Sequence, residues 1–276
     1  MKKAQRIKTA FIVVVSLLLM GVLLYSVFPK QQVLTKVLPI VATPTKSVSP
    51  TVTTIPTPST IKLSKNLYTI AILGDSMVDT MGENLEYVDK ALKVKYPGVS
   101  FKLYNYGIGS QTVEMGLARF NSSFSNKTRS YPPITGVNAD IIVLGSFSYN
   151  PFFPYDKNRH YLGLVNLINE AKKAGVPVYL IVEIAPLYDT FGQGPNGPNM
   201  TIDAAHDQAN RIVEQLEGSY GAAATAGVPV IDVYSDTKRN GKFGNNFFTD
   251  GNDGIHPSVT GHTVTAEKIA STIKLK

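Results

Sequence analysis

Four short runs carry the residue types needed for acyl transfer. Gly74-Asp75-Ser76 follows an apolar stretch, so Ser76 falls on a strand-to-helix turn. Such a turn exposes the hydroxyl and lets the serine N–H face a developing oxyanion. Asp253-Gly254-Ile255-His256 sets a carboxylate three residues ahead of an imidazole. From one loop the Asp can bond one ring nitrogen and fix the tautomer, leaving the other nitrogen to take a serine proton. Asn105-Tyr106-Gly107-Ile108-Gly109-Ser110 offers backbone N–H groups that glycines allow close to a ligand. Gly145-Ser146-Phe147-Ser148-Tyr149-Asn150 ends on an amide that can donate to the same oxyanion. Singly, each run also occurs as an ordinary turn or helix cap. Their positions relative to the secondary structure give them weight.

Five apolar runs read as buried strands: 67–73, 101–107, 139–146, 176–186 and 228–234. Between and after them, 83–95, 112–120, 160–174, 201–224 and 258–273 have helical spacing, with Pro97-Gly98 and Gly175-Val176-Pro177 as stops. Apolar strands alternating with helices imply an α/β fold, a doubly wound, mostly parallel five-stranded sheet with helices on both faces. In such sheets ligands bind outside the carboxyl ends of the strands. All four chemical runs fall at or beyond the carboxyl end of a strand.

With that order of elements, the Ser in G-D-S, the Gly-rich turn, the Asn and the D-x-x-H together resemble the four blocks of the SGNH (GDSL-type) hydrolases over about residues 68–266. The resemblance implies a flavodoxin-like three-layer sandwich. It also implies Ser76 as nucleophile, His256 as base and Asp253 as its orienting carboxylate. The oxyanion hole would be formed by the N–H of Ser76, an N–H of Gly109 or Ser110, and Asn150. Two departures stand out. Aligned through the following helix, the family's oxyanion glycine falls on Ser110, not Gly109. The third block lacks the usual G-x-N-D spacing, since Gly145 and Asn150 are five apart and no Asp follows.

The formal charge of +7 would suggest a nucleic-acid binder, but its distribution excludes one. Residues 1–65 hold nine of the 27 Lys/Arg and no Asp or Glu, leaving 18 basic against 20 acidic residues beyond. The folded part is mildly acidic and has no basic footprint. With no cysteine, thiolate catalysis, disulfides and Cys-based zinc sites are excluded. Residues 1–8 are polar and basic, and 9–28 are uncharged and apolar, long enough to span about 30 Å of hydrocarbon as a helix. The positive-inside rule puts 1–8 in the cytoplasm. Residues 29–63, rich in Pro, Thr and Ser, read as an extended linker, and 64–276 as the hydrolase domain outside the cytoplasm. A cleaved signal peptide is the competing reading of 9–28.

The expectation is therefore an anchored extracytoplasmic serine esterase acting through an acyl-enzyme, with no metal or organic cofactor and no nucleic-acid partner. Its substrate would be an acyl ester, such as an O-acetyl ester, of an envelope glycan or lipid. Two alternatives share the fold: acyl transfer to a sugar hydroxyl, and a non-catalytic glycan-binding module. His160, His206 and His262 fit no metal spacing and read as surface or helix histidines. Tyr149, Phe152, Phe153 and Tyr155 either line a pocket or pack a loop, and 191–199 is a Gly/Pro loop that could rim the site.

Overall fold

A computed structural model describes residues 63–239 and 241–276. The expected anchor at 9–28 and all but the last residue of the linker at 29–63 lie outside the described residues. Among those described, no helix is long and apolar enough to cross a membrane.

The elements in chain order are β1 (Leu67–Gly74), α1 (Ser76–Asp79), α2 (Glu86–Lys95), β2 (Ser100–Gly107), α3 (Val113–Ala118), β3 (Phe124–Asn126) and β4 (Arg129–Tyr131). There follow β5 (Ile141–Leu144), α4 (Lys157–Lys172), β6 (Val178–Val182), α5 (Ile202–Ala226), β7 (Val230–Asp232), α6 (Tyr234–Thr237) and α7 (Val259–Thr272). The main sheet has the order β2-β1-β5-β6-β7, and every pairing in it is parallel. This is the α/β architecture expected from the alternation of strands and helices.

The strands are near-continuous apolar runs because both faces are covered. Ile70 and Ile72 of β1 point into one core with Val88 and Leu92 of α2 and Ala266, Ile269 and Ala270 of α7. Ala71 and Leu73 point into the other with Val113 of α3 and Leu164, Leu167 and Ile168 of α4. A period of two within β1 thus feeds two separate cores. The connection after β2 crosses over β1 to reach β5, so the chain reverses its winding direction beside the end of β1. That crevice is where a doubly wound sheet opens to ligands, and Ser76 stands at it.

Three strands fall short of their apolar runs, the fifth, expected over 228–234, spanning only Val230–Asp232 before α6 begins. The third strand, expected over 139–146, spans only Ile141–Leu144, because Gly145 and Ser146 turn toward a buried glutamate. The fourth, expected over 176–186, leaves the sheet after Val182; the Ala185 N–H is then satisfied by Thr237 Oγ1 at 2.9 Å. The β3–β4 hairpin was not foreseen, since its strands are three residues each and sit in a polar stretch. It is held by Tyr104, Tyr106, Phe124 and Tyr131, whose rings meet at 5.1–6.3 Å. It is also held by Arg129, which donates to Asn105 O at 2.8 Å and Gly107 O at 3.2 Å and pairs with Asp79.

Both partners of the Arg129–Asp79 pair are nearly excluded from water. Removing the cation strands a buried carboxylate, which is the costly way to break such a pair. Arg129→Met should lower unfolding stability by about 3 kcal/mol, toward the low end for such breaks because Lys127 and Asn126 still face Asp79. Urea unfolding checks this, with Lys127→Met, an exposed partner, expected to cost far less.

Candidate active site

The Ser76 turn is clamped from both sides. A Cβ on Gly74 would lie 2.3 Å from Val78 Cγ2, and one on Gly107 would lie 2.2 Å from Asp79 N, so only glycine allows β1, β2 and α1 to approach this closely. Asp75 caps α1, accepting the Met77 N–H at 3.0 Å. Asn105 closes its other end, donating to Val78 O at 3.1 Å and Gly82 O at 2.7 Å while accepting the Gly107 N–H at 2.8 Å. Arg119 donates to Gly74 O at 2.9 Å. Among the described residues Ser76 Oγ makes no hydrogen bond, whereas its backbone carbonyl accepts from Thr80.

Around this turn stand the other candidates. The backbone of Gly109 lies directly against Ser76, since a Cβ on it would be 3.7 Å from Ser76 Cβ. Ser110 is exposed and left-handed, with φ of 58°. Asn150 Nδ2 donates to Asp75 Oδ2 at 2.7 Å, which spends one of its two N–H bonds and orients the other.

The Asp253–His256 loop has the geometry of an oriented base. His256 Nδ1 and Asp253 Oδ2 are 2.6 Å apart, and Asp253 Oδ1 accepts the N–H groups of Ile255 at 2.8 Å and His256 at 3.0 Å. Burial acts to raise the Asp253 pKa, but the hydrogen bonds from the His256 ring and from these two backbone groups outweigh it and hold the carboxyl below its ordinary value. With Nδ1 bound to a carboxylate, Nε2 is the nitrogen free to take a proton. Burial raises the carboxyl of Asp75, the residue beside the serine, to about 6, and the charge on His256 opposes that rise, so the two loops lie within electrostatic reach of each other. No hydrogen bond joins Ser76 Oγ to His256, as is common in unliganded sites of this chemistry.

The Gly/Pro loop at 191–199 braces the histidine loop. Gly192 N–H donates to Gly254 O at 3.2 Å, and Asn196 N–H to Asn252 O at 2.8 Å. Gly254 has φ of 66°, and a Cβ there would lie 2.6 Å from Thr190 O and 2.7 Å from Gln193 O. Gly254→Ala should therefore shift Asp253 and His256 together, lowering kcat about 10- to 100-fold with little change in KM. Steady-state kinetics on the folded variant checks it.

The aromatic run divides. Tyr149 and Phe152 are core residues, with the Tyr149 hydroxyl donating to Ile184 O at 2.9 Å. Phe153 is exposed, and Tyr155 reaches Glu214 at 2.7 Å. His160 and His262 are helix residues, as read, but buried rather than at the surface. Burial pulls each down to about 4, with the His256 charge adding to the effect at His262. His206 stacks on Tyr188 with ring centres 3.8 Å apart and pairs with Asp189.

Sequence reasoning missed two acidic residues: Asp75, as the group that holds Asn150, and Glu183, a carboxyl interrupting the apolar run 178–186. A lone acid in such a run was the available signal. A cleft of about 660 Å³ opens beside His256, lined by Tyr87, Phe247, Asp250, Asn252 and Asp253 among others. A second hollow of about 670 Å³ lies between α2 and α7 and contains none of the candidate residues.

A model of the GDSL-like lipase/acylhydrolase family matches residues 70–269. No curated protein sequence matches significantly. Similar solved structures include a lipase/acylhydrolase from Enterococcus faecalis, at 21% identity and TM-score 0.52, covering 74% of this chain and 94% of that one. An acetyl xylan esterase shares 17% identity at TM-score 0.53, with 74% and 98% covered. An acetylxylan esterase from Geobacillus stearothermophilus shares 15% at TM-score 0.52, with 76% and 95% covered. At these identities the likeness shows the fold.

Proposed function

The chain belongs to the GDSL-like lipase/acylhydrolase family and is an ester hydrolase; from that premise we propose that it is a membrane-anchored, extracytoplasmic esterase that removes a small acyl group from an envelope glycan. Ser76 attacks the ester carbonyl while His256 Nε2 takes its proton. The resulting imidazolium is stabilised by Asp253 and then protonates the departing alcohol. Water, deprotonated by the same His256, hydrolyses the acyl-Ser76 ester and restores both residues. During each tetrahedral stage the oxyanion is met by the Ser76 N–H, an N–H of the Gly109-Ser110 turn and the free Asn150 N–H.

The observation that carries this reading is the pair of prepared donors and acceptors around an unengaged hydroxyl. Asp253 holds His256 at 2.6 Å, Asp75 holds Asn150 at 2.7 Å, and Gly109 backs Ser76. The cleft beside His256 sets Asn246, Asp250 and Asn252 next to the exposed Phe247, a mix of hydrogen-bonding groups and an aromatic face that supports a sugar alcohol. The acetyl xylan esterases of the same fold support a short acyl group. The basic and apolar runs at 1–8 and 9–28, with the linker after them, support the anchored, exported arrangement.

The test uses p-nitrophenyl esters of increasing chain length and an acetylated polysaccharide. Release of acetate from the polysaccharide, and preference for acetyl over octanoyl esters, is expected; preference for long chains would replace the glycan reading with a lipid one. Asn150→Ala should lower kcat about 10²- to 10³-fold with KM nearly constant, as the loss of one oxyanion donor does. For the location, protease added to intact cells should release a soluble, active domain by cutting within 29–63. Activity that stays inside and protected would contradict it.

A further inference from the structure

Glu183 is 3% exposed and lies just past the end of β6, beneath the loop that carries Asn150. Among the described residues no cation pairs with it. Its Oε1 accepts the Ser146 N–H at 2.6 Å, and its Oε2 meets the Ser146 hydroxyl. That hydroxyl is 2.5 Å from Ser148 Oγ, which is 3.5 Å from Ser219 Oγ; Ser219 in turn donates to Gln215 O at 2.8 Å. From the far side His160 Nε2 donates to Ser146 O at 2.8 Å. Every polar contact of Glu183 thus lands on one residue of the Gly145–Asn150 loop. That loop needs holding: Phe147 is fully buried at φ of 58°, a conformation costly for a residue of its size, and its ring fills space left by Gly116.

We propose that Glu183 is a positioning residue, whose neutral carboxyl clamps Ser146 and so sets the Asn150 amide against Asp75 and the acyl carbonyl. The proposal rests on the reading of Asn150 as an oxyanion donor. A neutral acid fits the contacts completely: the carbonyl oxygen takes the Ser146 N–H, and the acid O–H can start a one-way chain through Ser146, Ser148 and Ser219 to the Gln215 carbonyl. The groups facing Glu183 and its loop are Asp75 behind Ser76, Tyr149 in the loop, His160 on α4 and Tyr234 on α6. Arg119 faces Asp75, with burial lowering its pKa to about 10. Burial, with the charge on Asp75 second, pushes Glu183 up to about 8. Burial also lifts Asp75 to about 6, against the Met77 N–H, the Asn150 amide and the His256 charge. At pH 7 one negative charge sits under the site, on Asp75, where it orients Asn150. Above about 8 a second appears under Ser146, reverses the hydroxyl chain and opposes the oxyanion.

The experiment measures kcat and KM of the full chain, Glu183→Gln and Glu183→Ala on p-nitrophenyl acetate from pH 6.5 to 9.3, subtracting the Ser76→Ala rate. Gln reproduces the neutral acid, with its oxygen for the Ser146 N–H and its amide for the hydroxyl, but cannot ionise. The unaltered enzyme should lose kcat about tenfold above pH 8 with KM steady. Glu183→Gln should keep kcat within about threefold at pH 7 and show no alkaline fall. Glu183→Ala should lose about 10²-fold in kcat at every pH. A Glu183→Gln profile that keeps the alkaline fall, or an Ala variant with unaltered kcat, overturns the proposal. If Ala does not fold, the Gln profile decides alone. Asn150→Ala separates the two failures: a loss of about 10²-fold in its kcat with a Glu183→Gln profile that keeps the alkaline fall sinks only the Glu183 role, and an unaltered kcat in Asn150→Ala sinks the oxyanion-donor reading beneath it.

Discussion

Ser76→Ala should lower kcat for ester turnover about 10⁴- to 10⁶-fold while the protein stays folded. The residue lies at a half-buried turn, its hydroxyl makes no hydrogen bond among the described residues, and the turn is held by Gly74, Gly107, Asp75 and Asn105 instead. Loss of the oxygen therefore costs little stability, and thermal melts of the variant should overlay those of the parent within about 2 °C. His256→Ala should cost about as much in kcat, and the double variant hardly more than either. The two side chains handle the same proton in one step, so removing either removes the step. Additive losses would mean that they do not act together.

Asp253→Ala should cost about 10³- to 10⁴-fold, less than loss of either proton-handling partner. Asp253 transfers nothing. It keeps the proton on Nδ1, so that Nε2 faces the serine, and stabilises the imidazolium. Its other oxygen accepts two backbone N–H groups that shape the loop, so alanine also loosens the histidine. Asp253→Asn separates the two effects. The amide keeps a backbone acceptor but presents the ring with a neutral partner, so a comparable loss in the Asn variant would put most of the cost on tautomer and charge. The Asp253 carboxyl sits below its ordinary value because folding supplies these partners. An acid depressed in this way stabilises the fold above its unfolded pKa, and that contribution is lost as pH falls through the lower, folded value. Melting temperatures from pH 5 down to pH 2 should therefore fall less steeply in Asp253→Ala than in the parent.

The fold was legible because a parallel sheet covered on both faces needs uninterrupted apolar strands, and the five runs provide them in sequence. Their ends were legible only where glycine or proline broke the pattern. Glu183 apart, the run 176–186 stays apolar past Val182 although the chain has left the sheet, because Ile184, Ala185 and Leu187 enter the core from the connection to α5. Ser76, Asp253, His256 and Asn150 could be named as candidates because hydroxyl, imidazole, carboxylate and amide are the required chemical types and each follows a strand. What joins them could not. The Asn150–Asp75 contact spans 75 positions, the Ser146–Glu183 contact 37 and the Arg129–Asp79 pair 50. Such pairings depend on how the loops pack, which periodicity does not encode.

Mass analysis after treatment with a p-nitrophenyl phosphonate tests the central claim most directly. The reagent offers a phosphorus centre that an activated serine attacks, expelling p-nitrophenolate and leaving a stable ester on the nucleophile. The account predicts one adduct per chain, on the peptide bearing Ser76, forming as activity disappears, absent from Ser76→Ala and strongly slowed in His256→Ala. An adduct on another residue that tracks the loss of activity, or full activity in an enzyme that takes up no reagent, would contradict it.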